Sequence, residues 1–278
     1  DNASEDPLLA TFVALDLTTD PWGFLFSLRE VDEGFDPDLG FVRRQGYRKK
    51  QGSLRYSFRP EKWGVRRVSI RPNGNSYDSL IHDVTESSEV RLNVEIELET
   101  GDDVELRASR EFERLFEDFE LDDELVFAAG DYTFDSVQLS YSGDESRRWG
   151  CDAEITVGEF YDGDRTFFEG GLWFVLSRHF RVAGAYESYD VSTNHGSIDW
   201  QLWSFRLRYT HSATLSASSF VQYNSSTGTT VLNLRLRKIL RNDSDLYIVF
   251  NQRELEDDVF GVLREHDAAV KISYRFFL

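Results

Sequence analysis

Apolar and polar side chains alternate along most of this chain, and this alternation limits the possible folds more than any other feature. Between residues 89 and 98, apolar residues at even positions alternate with polar residues at odd positions. Apolar and polar residues also alternate at 203–210, with the apolar residues at odd positions, and at 232–237, with the apolar residues at even positions. Successive side chains of a β-strand point to opposite faces, so a period of two predicts strands with one apolar and one polar face. Helical periodicity is nearly absent. The sequence predicts an all-β protein.

The alternation and the turn-forming residues between alternating segments predict fifteen strands. We expect them at 8–18, 22–32, 47–59, 63–72, 78–99, 102–113, 131–142, 147–160, 164–177, 180–190, 198–211, 213–224, 228–240, 244–254 and 265–278. Tight turns then alternate with longer or turn-rich connections. The longer or turn-rich connections include 73–77, and the longest of them are 33–46 and 114–130. This pattern is typical of an antiparallel up-and-down transmembrane β-barrel with short periplasmic turns and longer extracellular loops.

The last nine residues resemble the closing strand of an outer-membrane barrel. One face of this strand carries only apolar and aromatic side chains, and Lys271, Ser273 and Arg275 fall on the other. The apolar face consists of Val270, Ile272, Tyr274, Phe276 and Leu278. Lipid contacts one side of such a strand and the lumen the other. We therefore expect these five residues to form the insertion signal read by the barrel-assembly machinery.

Composition agrees with a membrane barrel and excludes several other classes. The formal net charge of −19 argues against nucleic acid as a partner. No window approaches the ~20 consecutive apolar residues of a membrane-spanning helix, so a membrane protein with this sequence must span as a closed barrel. The chain contains no Met, even at position 1, which indicates a mature or trimmed product. The predicted location is the outer membrane of a Gram-negative bacterium, in contact with its lipid.

Two alternatives to this fold remain. A soluble β-sandwich or β-solenoid also alternates apolar and polar residues. A solenoid is disfavoured because no repeat of 20–50 residues is present. A sandwich is disfavoured because it rarely needs so many consecutive hairpins.

The number of predicted strands is odd, whereas complete bacterial barrels have an even number. By the order of short and long connections, the first and last strands run in the same direction. Either one strand is missed, or residues 1–278 form a single barrel domain that is the C-terminal part of a larger barrel. We favour the second interpretation, in which an upstream segment or another membrane protein chain completes the wall.

Five segments, in this order along the chain, resemble a family of bacterial outer-membrane barrel proteins without an assigned function. They are 34–44, 130–134, 158–163, 220–225 and the pair 234–237 with 244–247. Members of that family carry an N-terminal domain similar to family-9 carbohydrate-binding modules, followed by a long C-terminal barrel. The resemblance implies that this chain corresponds to the latter half of such a barrel. It carries over no sugar-binding role, because the residues for that role are absent here.

Charged residues on the polar faces of the strands are the candidate functional residues. The lumen-lining candidates are Arg55, Arg91, Glu95, Glu97, Arg206, Arg208, Arg235, Arg237 and Arg275. They suit a channel or transport pore that selects solutes by charge, or the wall of a larger barrel assembly. Alternatively, arginines and glutamates pair and fill the lumen. The chain would then be a membrane anchor or scaffold with a plugged lumen for a carbohydrate-binding or partner domain.

Catalysis and metal binding have weaker signals. The histidines are scattered, and although His195 and His266 are expected near the extracellular rim with Asp190 and Asp257 in adjoining loops, no nucleophile motif accompanies them. A barrel-embedded hydrolase is therefore the least favoured function. The acidic clusters lack calcium-loop spacing, so we expect no metal and no cofactor. The loop 33–49, rich in aromatic and basic residues, is expected either to constrict the lumen or dock a partner, or to be a long loop held down by its own aromatics.

Overall fold

A computed structural model describes residues 8–36, 44–122, 125–241, 244–257 and 261–273. Within these ranges every regular element is a β-strand, which confirms the predicted all-β class. No helix in the described part of the chain is long and apolar enough to cross a membrane.

The described residues form seventeen strands, which follow one another along the chain. They are β1 (Ala10–Thr18), β2 (Trp22–Val31), β3 (Tyr47–Phe58), β4 (Val65–Ser79), β5 (Val84–Leu98), β6 (Asp103–Leu115), β7 (Phe119–Asp122), β8 (Leu125–Phe127), β9 (Gly130–Ser142), β10 (Trp149–Phe160), β11 (Gly163–Val175), β12 (Phe180–Ser192), β13 (Ser197–Ser212), β14 (Leu215–Asn224), β15 (Thr229–Arg241), β16 (Ser244–Asp257) and β17 (Gly261–Ser273).

Fifteen of these strands form one antiparallel sheet in which each strand lies beside its neighbours in the chain. The order runs from β1 to β6 and then from β9 to β17, while β7 and β8 form a separate two-stranded hairpin. No pairing between β1 and β17 is present among the described residues. The fifteen predicted strands therefore correspond one by one to the strands of the large sheet, although several boundaries differ.

The register places apolar and polar side chains in separate rows across the strands, which defines an apolar and a polar face. One row runs Tyr56, Ile70, Val94, Leu106 across β3 to β6. The next row, one residue along, runs Ser57, Ser69, Glu95, Glu105. The same separation recurs from β13 to β15, where the row Tyr209, Ala217, Leu236 lies beside the row Arg208, Ser218, Arg235.

Across β3 to β6, the apolar face is the more exposed of the two. Tyr56 is 37% exposed and Leu106 is 47% exposed, whereas the polar-face residues Ser57 and Ser69 are 6% and 4% exposed. A water-soluble β-sandwich has the opposite arrangement, because its apolar side chains pack between two sheets. In the described part of the chain, no second sheet covers the apolar rows.

The predicted turn at 73–77 is wrong, because these residues lie inside β4. Pro72 and Gly74 are residues typical of turns, but the strand continues through them to Ser79. The ladder between β3 and β4 skips Pro72, whereas Pro72 is paired with Leu92 on the other side. Proline lacks the N–H that a ladder needs, so the strand accommodates it with a local gap. The next strand begins at Val84 rather than at residue 78.

The predicted unbroken alternation of short and long connections is also wrong. Two connections are long, 32–46 and 116–129, and the others between neighbouring strands of the sheet have six residues or fewer. Because antiparallel strands alternate in direction, both long connections lie at the same end of the strands. Residues 37–43 of the predicted long loop 33–46 lie outside the described residues. The predicted loop 114–130 is wrong in part, because it contains the β7–β8 hairpin.

The chain divides into two compact units. The first comprises Asp1–Leu139, Thr156–Arg165 and Ser192–Ser197, and the second comprises Ser140–Ile155, Thr166–Val191 and Ile198–Leu278. Each is described by itself below.

Candidate functional site

The polar face of the first unit is lined by ion pairs between neighbouring strands. Arg67 on β4 lies directly opposite Glu97 on β5 and forms an ion pair with it. Arg71 Nη2 lies 3.4 Å from Glu95 Oε2. Both predicted glutamates, Glu95 and Glu97, are therefore paired with arginines of the adjacent strand. The predicted pairing of opposite charges describes this part of the polar face.

The two predicted arginines of this unit are held by their neighbours. Arg91 donates to Glu89, two residues earlier on the same strand. Arg55 lies opposite Gly23, and a Cβ at that glycine would come within 3.2 Å of Arg55 Nε. Glycine at this position therefore allows the arginine side chain to lie flat against β2.

Three acidic groups of this unit are close enough to suggest a metal site. Carboxylate oxygens of Glu95, Glu97 and Asp103 lie within 4.8 Å of one another. The pairing of Glu95 with Arg71 and of Glu97 with Arg67 already compensates two of these three charges. This arrangement is that of a charge network, as expected for polar groups that border a shared recess.

On the polar face of the second unit, several arginines have no acidic partner among the described residues. Within the described residues Arg206, Arg208 and Arg235 form no ion pair, whereas Arg237 Nε lies 3.2 Å from Asp245 Oδ1. The guanidinium group of Arg206 lies over the ring of Phe220, 5.0 Å from its centroid. Arg208 and Arg235 lie on either side of Ser218 in one row. Sequence reasoning had grouped all four arginines, and the structure separates one paired arginine from three unpaired ones.

Two recesses border these arginines. One has a volume of about 420 Å³, and the charged residues Asp152, Arg181, Arg206 and Arg208 are among those that line it. The other has a volume of about 370 Å³, and its polar lining includes Arg208, Ser216, Ser218 and Arg235. Arg208 belongs to both.

The first of these recesses is also lined by two acidic residues, Glu145 and Asp152. Glu145 pairs with Arg181 at 3.5 Å. Asp152 lies against Gly171, where an added Cβ would come within 2.5 Å of the Asp152 carboxylate. The recess therefore presents cationic groups on the β13 side and an acidic group on the β10 side.

The β7–β8 hairpin, which was not predicted, packs on aromatic residues of the first unit. Leu125 and Phe127 are each only 1% exposed. Phe127 stacks on Tyr161 with ring centroids 4.3 Å apart, and it contacts Phe160 edge to face. Phe134, on the polar face of β9, completes this cluster. The sequence offered one signal for this packing, the aromatic residues at 119 and 127 and those at 160 and 161. The two pairs are more than 30 residues apart along the chain.

Tyr161 joins this cluster to the polar face. It lies in the short connection between β10 and β11, and its hydroxyl donates a hydrogen bond of 2.8 Å to Glu113 Oε2. Burial, together with the adjacent Glu113 carboxylate, raises the pKa of the Tyr161 hydroxyl well above its ordinary value. The hydroxyl therefore remains a donor at all physiological pH values. Arg165, which pairs with Glu111 at 3.2 Å, lies over the Phe160 ring.

The predicted loop 33–49 is described only at its two ends. Gln45 accepts a hydrogen bond from the Gly34 backbone and donates one to the Phe35 carbonyl, which ties the two ends together. Lys49 lies over the Tyr77 ring at 4.7 Å. The first two contacts join the described ends of the loop, and the third lies between β3 and β4. Both predicted roles of the loop stay predictions.

The histidines are placed as follows. His195 Nε2 lies 3.1 Å from Asp162 Oδ2, in the connections on either side of β11 and β12. Asp190 is part of β12, in agreement with the predicted strand 180–190 and not with its assignment to the adjoining loop. Asp257 is the last residue of β16 rather than a loop residue. His266 lies on β17.

The C-terminal strand is described as far as Ser273. Val270 and Ile272 lie on the apolar face and are 67% and 64% exposed. The other predicted residues of this strand, Tyr274, Arg275, Phe276 and Leu278, lie outside the described residues.

No family model matches the chain, and no curated protein matches it significantly. The resemblance to the outer-membrane barrel family therefore stays a prediction that these comparisons do not test.

Proposed function

We propose that this chain spans the outer membrane of a Gram-negative bacterium as a β-sheet whose polar face borders a water-filled passage. In this proposal it acts as a channel, or as part of the wall of a larger channel. The observation that supports the proposal is the exposure of the apolar face together with the burial of small polar side chains on the other face. Lipid stabilises an exposed apolar face, whereas water does not.

The length of the strands also agrees with this proposal. Strands of the sheet have 9 to 16 residues, and a tilted strand needs about 9–11 to cross the hydrocarbon core. On the apolar face, the ion pair Arg114–Asp131 lies toward the ends of β6 and β9, which suits the water beyond the hydrocarbon core. The ion pair Arg110–Asp135 lies nearer the middle of these strands, where its opposite charges compensate each other.

We also propose that a further segment completes the wall. The sheet has fifteen strands, so β1 and β17 run in the same direction. Direct pairing of these two strands would be parallel, whereas every other pair in the sheet is antiparallel. An upstream segment or another membrane protein chain would avoid that mismatch, and the predicted family resemblance favours the upstream segment.

Cysteine labelling of β15 tests the proposed faces. Cys151 is the single cysteine, so Cys151→Ser gives a background without cysteines. In lipid vesicles, Leu234→Cys and Leu236→Cys should react with a lipid-soluble maleimide and resist a water-soluble one. Asn233→Cys, on the polar face of the same strand, should show the reverse. Equal reaction of both faces with the water-soluble reagent would refute membrane insertion.

Conductance across a planar bilayer then tests the passage itself. A channel predicts stable ion conductance from the purified full-length protein. A second function, a membrane anchor with a plugged passage, is favoured by the packing of Phe127 of the β7–β8 hairpin against Phe160 and Tyr161 of the first unit. It predicts correct insertion in the labelling experiment but no conductance.

A further inference from the structure

Three arginines without an acidic partner among the described residues lie on the polar face of the second unit, and the register places two of them on either side of one serine. The protein has a formal net charge of −19, so carboxylates are abundant. On the polar face of the first unit, the arginines of β4 have glutamates as partners. Arg206, Arg208 and Arg235 have none within the described residues. Side-by-side cations without partners destabilise a protein, and such local conflicts concentrate at functional sites.

We propose that the polar face of β13 to β15 binds a small solute through a phosphate or pyrophosphate group, centred on Ser218 between Arg208 and Arg235. This inference deepens the proposed function and rests on it, because the polar face must border water for a solute to reach it.

The register places the two arginines on either side of the same small residue. Ser218 lies directly opposite Arg208 on one neighbouring strand and opposite Arg235 on the other. Adjacent strands lie about 4.8 Å apart, so the two arginine Cα atoms are separated by roughly 10 Å. Long side chains reach across that distance, and the short serine side chain leaves the space between them open. The recess of about 370 Å³ occupies this space.

The chemistry of the lining suits phosphate oxygens. A guanidinium group presents N–H donors in a planar fork that matches a phosphate or carboxylate in a bidentate manner. Hydroxyl groups of Thr210, Ser212 and Ser216 line the same recess and supply further donors. Arg237, which is paired with Asp245, also lines this recess, and Arg206, stacked on Phe220, lines the adjoining one.

The size and charge of the surroundings favour a small solute over a polymer. The two recesses of about 370 and 420 Å³ hold a ligand the size of a sugar phosphate or a nucleotide. The acidic chain repels a long polyanion such as a nucleic acid. A local group of arginines in an acidic protein therefore selects a compact anion.

Calorimetric titration of the detergent-solubilised full-length protein with inorganic pyrophosphate tests the site. Arg208→Ala and Arg235→Ala should each weaken pyrophosphate binding at least tenfold at 0.15 M salt. Arg208→Lys, which keeps the charge but loses the bidentate fork, should also weaken it. Arg253→Ala is the matched control, because Arg253 is an exposed arginine on the polar face, and its row lies four residues from Ser218, about 13 Å along the strand. This control should change binding less than twofold.

The outcomes separate the site from the proposed function. Binding that requires Arg208 and Arg235 supports the site whether or not the protein conducts ions. Failure of the wild-type protein to bind pyrophosphate overturns the site and leaves the labelling and conductance results untouched. Equal weakening by Arg253→Ala and Arg208→Ala also overturns it, because the attraction would then be diffuse. Circular dichroism of each variant confirms that the sheet is retained.

Discussion

Ser57 and Ser69 face each other across β3 and β4, and their hydroxyl oxygens are joined by a buried hydrogen bond of 2.9 Å. Their neighbours one residue along, Tyr56 and Ile70, face each other on the opposite side of the sheet and remain exposed. Where β3 and β4 meet, polar contacts therefore hold the less exposed face of the sheet together.

The loss of stability from removing both of these hydroxyl groups should be smaller than the sum of the losses from removing each one alone. Ser57→Ala leaves the Ser69 hydroxyl buried without its partner, which should cost about 1–2 kcal/mol, and Ser69→Ala should behave alike. The double variant should lose clearly less than the sum, because no unsatisfied hydroxyl remains. Urea unfolding of protein in lipid vesicles measures all three. Strict additivity would show that the two hydroxyls act independently.

A charge on the apolar face should be costly at the middle of a strand and tolerated near its end. Leu234 and Leu240 lie on the same face of β15 and are 40% and 51% exposed. In a membrane, Leu234→Arg should cost about 2–4 kcal/mol and Leu240→Arg about 0–1 kcal/mol. The same unfolding measurement gives both values. In a water-soluble protein both substitutions would be nearly neutral, so two small effects would contradict the membrane proposal.

The β7–β8 hairpin should detach when its central aromatic contact is removed. Phe127→Ala deletes the ring that stacks on Tyr161, so amide hydrogen exchange at residues 116–129 should accelerate at least tenfold. Val126→Ala is the control, because Val126 is 37% exposed on the other side of the same strand. It should change exchange little. Equal protection in the wild type and in Phe127→Ala would mean that other contacts hold the hairpin.

The contact between Tyr161 and Glu113 should make stability depend on alkaline pH. The folded protein holds the phenolic proton more tightly than the unfolded chain, because the pKa of Tyr161 is raised. This contribution is complete below the unfolded-state pKa of about 10 and is lost as the pH rises through the folded-state value. The urea midpoint of the wild type should therefore fall more steeply above pH 10 than that of Tyr161→Phe. Parallel pH profiles would contradict the raised pKa.

The sequence was sufficient to predict the large sheet, because a period of two is a local signal that tertiary contacts rarely override in long strands. All fifteen of its strands were located, and Val270 and Ile272 lie on one face of the last described strand as predicted. The turn at 73–77 failed because Pro72 and Gly74 resemble a turn locally. A partner strand on each side keeps these residues extended. A short stretch of sequence does not show which strands pair with it.

The arrangement of charges was only partly predictable. The alternation placed Arg91, Arg208 and Arg235 on polar faces, but it could not say which arginines have partners. Pairing depends on register, since Glu97 meets Arg67 directly whereas Arg208 meets Ser218. The hairpin escaped prediction for a similar reason. Its strands have only four and three residues, and they are stabilised by Phe160 and Tyr161, which are distant in the sequence.

The shared direction of β1 and β17 restricts how copies of this chain could assemble. If the sheet lies in a membrane as we propose, insertion fixes which end faces out, so copies are related only by rotations about the membrane normal. Such rotations leave strand direction unchanged. Any seam between identical copies would then join two strands that run the same way. A fully antiparallel ring instead requires an odd number of strands from a non-identical segment, so parity opposes a symmetric homo-oligomeric barrel.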